Sequence, residues 1–181
     1  MRINPIETSL TKRLALNEKR PQFSPSLWRK KSNNKATTMS QVWFPGVHRS
    51  VGGGDVTCDL SSISLAWMVQ KLHGHTSLEC DLDYVAEMSR KRRTSWAIGD
   101  FRDSCRGLYK LGGWRKRKPG RYYPVAETFE AIHSSVRKRK EELGHKFATP
   151  DLGDLPTDEF GDVESRLRWE EGIEIHVVGK E

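Results

Sequence analysis

Residues 41–72, QVWFPGVHRSVGGGDVTCDLSSISLAWMVQKL, constrain the fold of this chain more than any other stretch. Val42, Trp43, Phe44 and Val47 are strand formers around a sharp Pro45-Gly46 break. His48 sits just past that break. Gly52, Gly53 and Gly54 then let the backbone take conformations that cost other residues dearly. Residues 60–72 read as an apolar helix, with Asp59 or Ser61 placed to cap it. Strand, Gly-rich turn and helix in that order belong to a mixed α/β fold. The lone ionisable His between them stands where such folds present chemistry.

A chain of 181 residues suits a single domain with a real core. Hydrophobic content of 35% against 30% charged points to a soluble protein with substantial exposed surface. The net charge of +7 favours acidic partners such as anionic lipid or nucleic acid, although many plain enzymes are as basic. Cys58, Cys80 and Cys105 are odd in number and irregularly spaced, so no disulfide framework is expected. The N-terminus lacks the apolar core of a signal peptide, and no apolar run approaches the roughly 20 residues that span a bilayer. A cytoplasmic location is therefore the default expectation, with no transmembrane segment.

Along the chain, Ile6, Leu10 and Leu14 fall at helical spacing and predict a short helix within residues 1–20. Pro21 and Pro25 end it. Residues 29–40 are polar and basic and read as a surface linker before the strand. Trp67 and Met68 are expected in the core. Leu82, Tyr84, Val85 and Met88 predict a second helix, closed by the basic run from Arg90 to Arg93. His73 and His75 with one distant Cys do not make a metal site, and no cofactor is expected. Trp114 among Arg and Lys residues suggests base stacking, but no RRM, KH or zinc-finger pattern supports a nucleic-acid partner.

His133 is a second ionisable candidate. Its expected role is to anchor a helix beginning near Ser134 or Ser135, with Val136 inward and Arg137, Lys138, Arg139 and Lys140 outward. From Gly144 onward the chain reads as a variable tail. It holds a helical turn around Leu167 and Trp169 and an edge strand around Ile173 and Val178.

VWFPGVHRSVGGG followed by LSSISLAWMV resembles the C-terminal signature of an uncharacterised α/β-hydrolase family. That family is widespread in fungi and related to the phospholipase effectors of bacterial type VI secretion. RLALNEKR and FSPSLW resemble its ALALDE-x-R and F-x-P-x-LW segments, with Asn17 in place of the usual Asp. That change mainly removes a charge. DSCRGLYKLGGWRKRKPGRY resembles its R-x-PG-x-Y region, and ETFEAIHSSVRKRK its E-x-IHPSVR-x-R stretch, with Ser134 for Pro. The resemblance runs from about Pro5 to about Arg139. It implies a partial α/β-hydrolase-like domain over residues 1–143 and a variable tail over 144–181. It also implies that His48 is the general base of a Ser-Asp-His triad, supported by a turn built on Gly46, Gly52, Gly53 and Gly54.

No Gly-flanked Ser elbow occurs anywhere in the sequence. In the family, the nucleophile and the orienting Asp precede the portion matched here. The expectation is thus a C-terminal fragment of an α/β domain. It would keep the last core strand plus several helices, with much of the parallel sheet missing and activity negligible by itself. Ser50, Asp55 and Cys58 do not build a self-contained site: Ser50 lacks an elbow, Asp55 lies across a flexible Gly turn, and Cys58 has no activating partner. The strand at 41–44 would then be an unpaired edge unless another chain covered it. A lipid or ester substrate is implied in the full-length context, with self-association or a complementing chain as the partner. The other reading is a non-catalytic basic module that binds another protein or an anionic surface.

Overall fold

The first strand forms where the sequence predicts a helix. Thr8–Ala15 is β1, and it pairs in parallel with β2, Thr37–Phe44, from Thr8 opposite Thr37 to Ala15 opposite Phe44. Leu10 and Leu14 are four residues apart, a spacing that places two side chains on one face of a helix and of a strand alike. The neighbouring strand decides between them. The structure is a computed structural model that describes residues 8–31, 37–55, 59–76, 78–90, 97–101, 103–105 and 107–159.

Two short strands follow much later in the chain. They are β3, Glu130–His133, and β4, Thr157–Asp158, and all four strands are parallel in the order β1-β2-β3-β4. Among the described residues five α-helices connect and flank them: α1 His48–Gly52, α2 Asp59–His75, α3 Leu82–Arg90, α4 Val125–Thr128 and α5 Ser134–Leu143. This is an α/β architecture with a four-stranded parallel sheet, consistent with a partial α/β-hydrolase-like domain. The expected unpaired edge at 41–44 is corrected: β2 lies inside the sheet, between β1 and β3. It also begins earlier than expected, because Thr37 to Ser40 join the strand rather than the linker.

Both faces of the sheet are covered, as parallel sheets require. On one face Val42 and Phe44 pack against Leu60, Ile63 and Trp67 of α2 and Val51 of α1. On the other, Leu14, Trp43 and Ile132 meet Val136, Phe147 and Leu155. Trp67 is fully buried and Met68 packs at the edge of the first cluster, as expected of core residues. Residues past Gly144 contribute to this core. Phe147 and Leu155 are buried, and Asp158 of β4 accepts hydrogen bonds from the Trp67 indole and from Lys71 Nζ at 3.2 Å. Cys58, Leu167, Trp169, Ile173 and Val178 lie outside the described residues.

Two buried polar side chains tie the second face down. Gln41 Oε1 accepts from the Trp28 amide at 2.9 Å, while its Nε2 donates to the Thr128 carbonyl at 2.7 Å. Glu130 accepts from the Trp43 indole at 2.8 Å, from the Gly120 amide at 3.0 Å and from Thr128 Oγ1 at 3.0 Å. Each buried acceptor is therefore matched by donors, without which burial would cost free energy.

Helix α5 follows the expected start but not the expected faces. His133 caps it: Nδ1 accepts from the Ser135 amide at 3.2 Å, and the ring stacks on Phe44 with centroids 4.5 Å apart. Val136 points inward as expected. Arg139, expected outward, is buried. Position 139 lies three residues from 136, on nearly the same helical face. Its Nη1 donates to the Ala97 and Gly99 carbonyls at 2.5 and 2.8 Å, and the guanidinium sits over Phe101 and Phe147. Burial pushes its pKa down, with Asp100 opposing. Arg139→Ala is expected to destabilise the fold by about 3 kcal/mol, through lost charged hydrogen bonds and an opened aromatic slot. A urea midpoint unchanged from wild type would remove this role.

Candidate functional site

Because β1 and β2 are parallel, the residues that follow each of them emerge at the same edge of the sheet. That edge, at the carboxyl ends of the strands, is where open parallel sheets present ligand sites. Asn17 and Glu18 follow β1; Pro45, Gly46, Val47 and His48 follow β2.

The two ends are stitched beyond the ladder. Leu16 N donates to Phe44 O at 3.0 Å, and Asn17 N to Gly46 O at 2.9 Å. The Asn17 side chain completes the exchange, with Oδ1 accepting from Gly46 N at 2.8 Å and Nδ2 donating to Ala148 O at 3.0 Å. A carboxylate at 17 could keep the first of these contacts but not the second, so Asn here does more than remove a charge.

Gly46 is held at φ +108, and a Cβ there would come within 3.0 Å of both Leu60 Cδ1 and Ser50 Cβ. No side chain fits that turn. Gly53 and Gly54 also have positive φ, at +93 and +92, in open space. Gly52 has neither a positive φ nor a crowded Cβ, so nothing in the local geometry demands glycine there.

His48 opens the short helix α1 and is exposed. Its ring lies 5.0 Å from the Phe23 ring. Its amide donates to Glu18 Oε2 at 3.2 Å. Among the described residues no carboxylate hydrogen-bonds the imidazole itself. Asp55, the nearest acid in sequence, accepts from Ser50 Oγ at 3.0 Å. Ser50 is buried, so its hydroxyl faces Asp55 rather than the cleft.

Glu18 is the residue that sequence reasoning passed over; it figures there only as a letter in the ALALDE-like segment. Its carboxylate is 1% exposed. Oε1 accepts from Arg20 N and Nε, both at 3.0 Å, and from Ser104 Oγ at 2.6 Å. Oε2 accepts from Arg20 Nη2 at 3.0 Å and from the His48 amide. Burial by itself would raise the pKa. The hydrogen bonds from Arg20, Ser104 and the Arg20 and His48 amides outweigh it and bring the carboxyl down to about 2. The signal in the sequence was Glu two residues before Arg at the end of a strand, which shows its meaning only once β1 is recognised as a strand.

Beside these residues lies a cleft of about 310 Å³, lined by Lys12, Arg13, Glu18, Phe23, His48 and Arg117 among others. A larger recess of about 730 Å³ opens at the other end of the strands, around Leu10, Trp28 and Met39. It contains no His and no carboxylate, so the smaller cleft is the chemical candidate. Among the described residues no cluster of three or more His, Cys, Asp or Glu could hold a metal ion. No described helix is long and apolar enough to cross a membrane.

The family model described as T6SS, phospholipase effector Tle1-like, catalytic domain matches residues 2–71. The match takes in β1, β2, α1 and most of α2, and so includes the whole His48 turn and Glu18. No curated protein and no solved structure matches the chain.

Two outcomes follow from this geometry. Gly46→Ala should cost about 2 kcal/mol or more, since it combines backbone strain with a double steric contact; wild-type thermal stability in that variant would overturn the account. Glu18 has a folded pKa of about 2 against an ordinary 4.5. Its contribution is therefore fully present above about pH 4.5 and is lost as the pH falls through about 2. Glu18→Gln should remove that acid-limb slope and lower stability at neutral pH by roughly 2–3 kcal/mol. Denaturant titrations across that pH window provide the check.

Proposed function

We propose that this chain carries the general-base end of an ester hydrolase of the phospholipase-effector type, with His48 as the base. The observation that carries the reading is a pairing of position and family. An exposed His stands at the carboxyl end of an interior parallel strand, facing a cleft, within the segment that matches a phospholipase catalytic domain. The resemblance to the α/β-hydrolase family of fungi supports the same assignment.

In this reading His48 takes the proton from an attacking Ser hydroxyl and returns it to the leaving alkoxide. Glu18 acts as a positioning residue, fixing the backbone from which the imidazole projects. The Phe23 ring stands beside the imidazole, tilted by 50° to it. These 181 residues contain no nucleophile elbow, and no described carboxylate orients the imidazole. The Ser and the acid must come from other polypeptide, whether another segment or a complementing chain. Hydrolysis by these residues alone is then expected to be negligible. The outer edge of β1 is open among the described residues and offers a place for such polypeptide to pair.

The deciding experiment reads the transcript upstream of Met1 and assays the encoded product, or a mixture with a chain supplying Ser and Asp, on a short-chain phospholipid. His48→Ala should lower kcat by about 10³-fold or more, with little change in KM. Equal hydrolysis by wild type and His48→Ala would sink the assignment.

A further inference from the structure

Three cations line the His48 cleft, and among the described residues none is paired with a carboxylate. Lys12 Nζ donates to the Ser26 carbonyl and lies 4.7 Å from the Trp28 ring centroid. Arg13 Nη1 donates to Ser64 Oγ at 3.3 Å. Arg117 Nη2 donates to the Phe23 carbonyl. None of the three makes an ion pair among the described residues. The carboxylate that shares the lining, Glu18, is already committed to Arg20.

Arg117 is the most constrained of the three. It is 4% exposed, and its Nη1 is buried with no hydrogen-bond partner among the described residues. Leaving a guanidinium donor buried and unmatched is costly and uncommon in native proteins. Burial pushes the pKa of Lys12, Arg13 and Arg117 down, for Arg117 against the opposing pull of Tyr122 and Glu18. Each would hold its charge more cheaply beside an anion. Phe23 links this group to the candidate base, since its carbonyl accepts from Arg117 and its ring lies 5.0 Å from His48. An acidic group seated there would lie beside the Arg117 guanidinium, which also interacts with Tyr122, and next to the imidazole.

We propose that the cleft between β1 and the 21–26 segment is an anion site for a phosphoryl group, with the Arg117 guanidinium as its main partner. Guanidinium suits phosphate oxygens because its donors form a fixed planar fork. Lys12 and Arg13 supply the surrounding positive field. The site does not depend on His48 acting as a base, because an anion would seat there whether or not a nucleophile reaches the cleft. Two sources share this chemistry, a phosphate-bearing lipid headgroup and a soluble phosphate.

The test uses the full chain, isotope-labelled, with amide and imidazole NMR signals followed at neutral pH and low salt. One arm adds inorganic phosphate; the other adds dihexanoyl phosphatidic acid below its micelle concentration. Saturable shifts at His48 and Phe23 with Kd of about 1 mM are expected for phosphate. Arg117→Gln should weaken binding about tenfold or more. Should that variant fail to fold, Lys12→Gln decides, with an expected loss of about threefold. Lys138→Gln, which alters a cation paired with Glu142 on α5, should leave the affinity unchanged. Tighter binding of the lipid than of phosphate assigns a headgroup; equal or weaker binding assigns a soluble phosphate. The proposal is overturned by no saturable shift up to about 20 mM phosphate, or by wild-type affinity in folded Arg117→Gln or Lys12→Gln. A negative result leaves the His48 reading standing. Conversely, binding retained beside an inactive full product would remove the hydrolase reading and keep the anion site.

Discussion

The site depends on one buried carboxylate. Glu18 collects hydrogen bonds from Arg20, Ser104 and the His48 amide, and so locks the end of β1 to the turn that follows β2. A carboxylate this deeply buried is unfavourable unless it is saturated with donors, and here it is. The constraint works in both directions. The donors keep the carboxylate charged, and the charged carboxylate keeps the donors, including the backbone of the candidate base, in one arrangement. The exchange between Asn17 and Gly46 reinforces it from the neighbouring position.

The rest of the fold serves to keep that edge rigid. Trp67 packs edge-on to Phe44 while its indole reaches Asp158, so α2 is tied to the far strand of the sheet as well as to β2. Gln41 and Glu130 bind the irregular segments beneath the opposite face. Arg139 draws the 97–99 loop onto α5, where Gly99 passes so close to Asp59 that a Cβ would stand 2.3 Å from the Asp59 Cβ. Each of these contacts uses a polar group where an apolar one would fill the space. The resulting core is specific in geometry but depends on every partner being present.

Much of this was legible in the chain itself. The strand and the long helix of the 41–72 unit appear in the order read, with α2 running from Asp59 to His75, but His48 to Gly52 form the short helix α1 where a loop was expected. The helix around Val85 and the capping role of His133 are also where the residues implied. Two of the readings that failed did so for reasons visible in the residues themselves. Leu10 and Leu14 could not distinguish helix from strand, because four residues return to the same face in both. Arg139 was judged by its charge, whereas its spacing from Val136 had already put it on the inward face. Carboxylate Glu18 and guanidinium Arg117 were illegible as a pair of site residues, since 99 positions of chain separate them.

The sequence by itself determined the local chemistry: a strand breaking at Pro45-Gly46, a His beyond it, and a Gly-rich turn into a helix, all dictated by backbone sterics and hydrophobic patterning within a few residues. It also determined the absence of a nucleophile elbow. Only the tertiary structure decided that β1 is a strand, that β2 is interior, and that Glu18, Phe23, His48 and Arg117 line one cleft. Parallel pairing is the physical reason. It brings the ends of strands distant in sequence to one edge, and no local pattern records which residues will meet there.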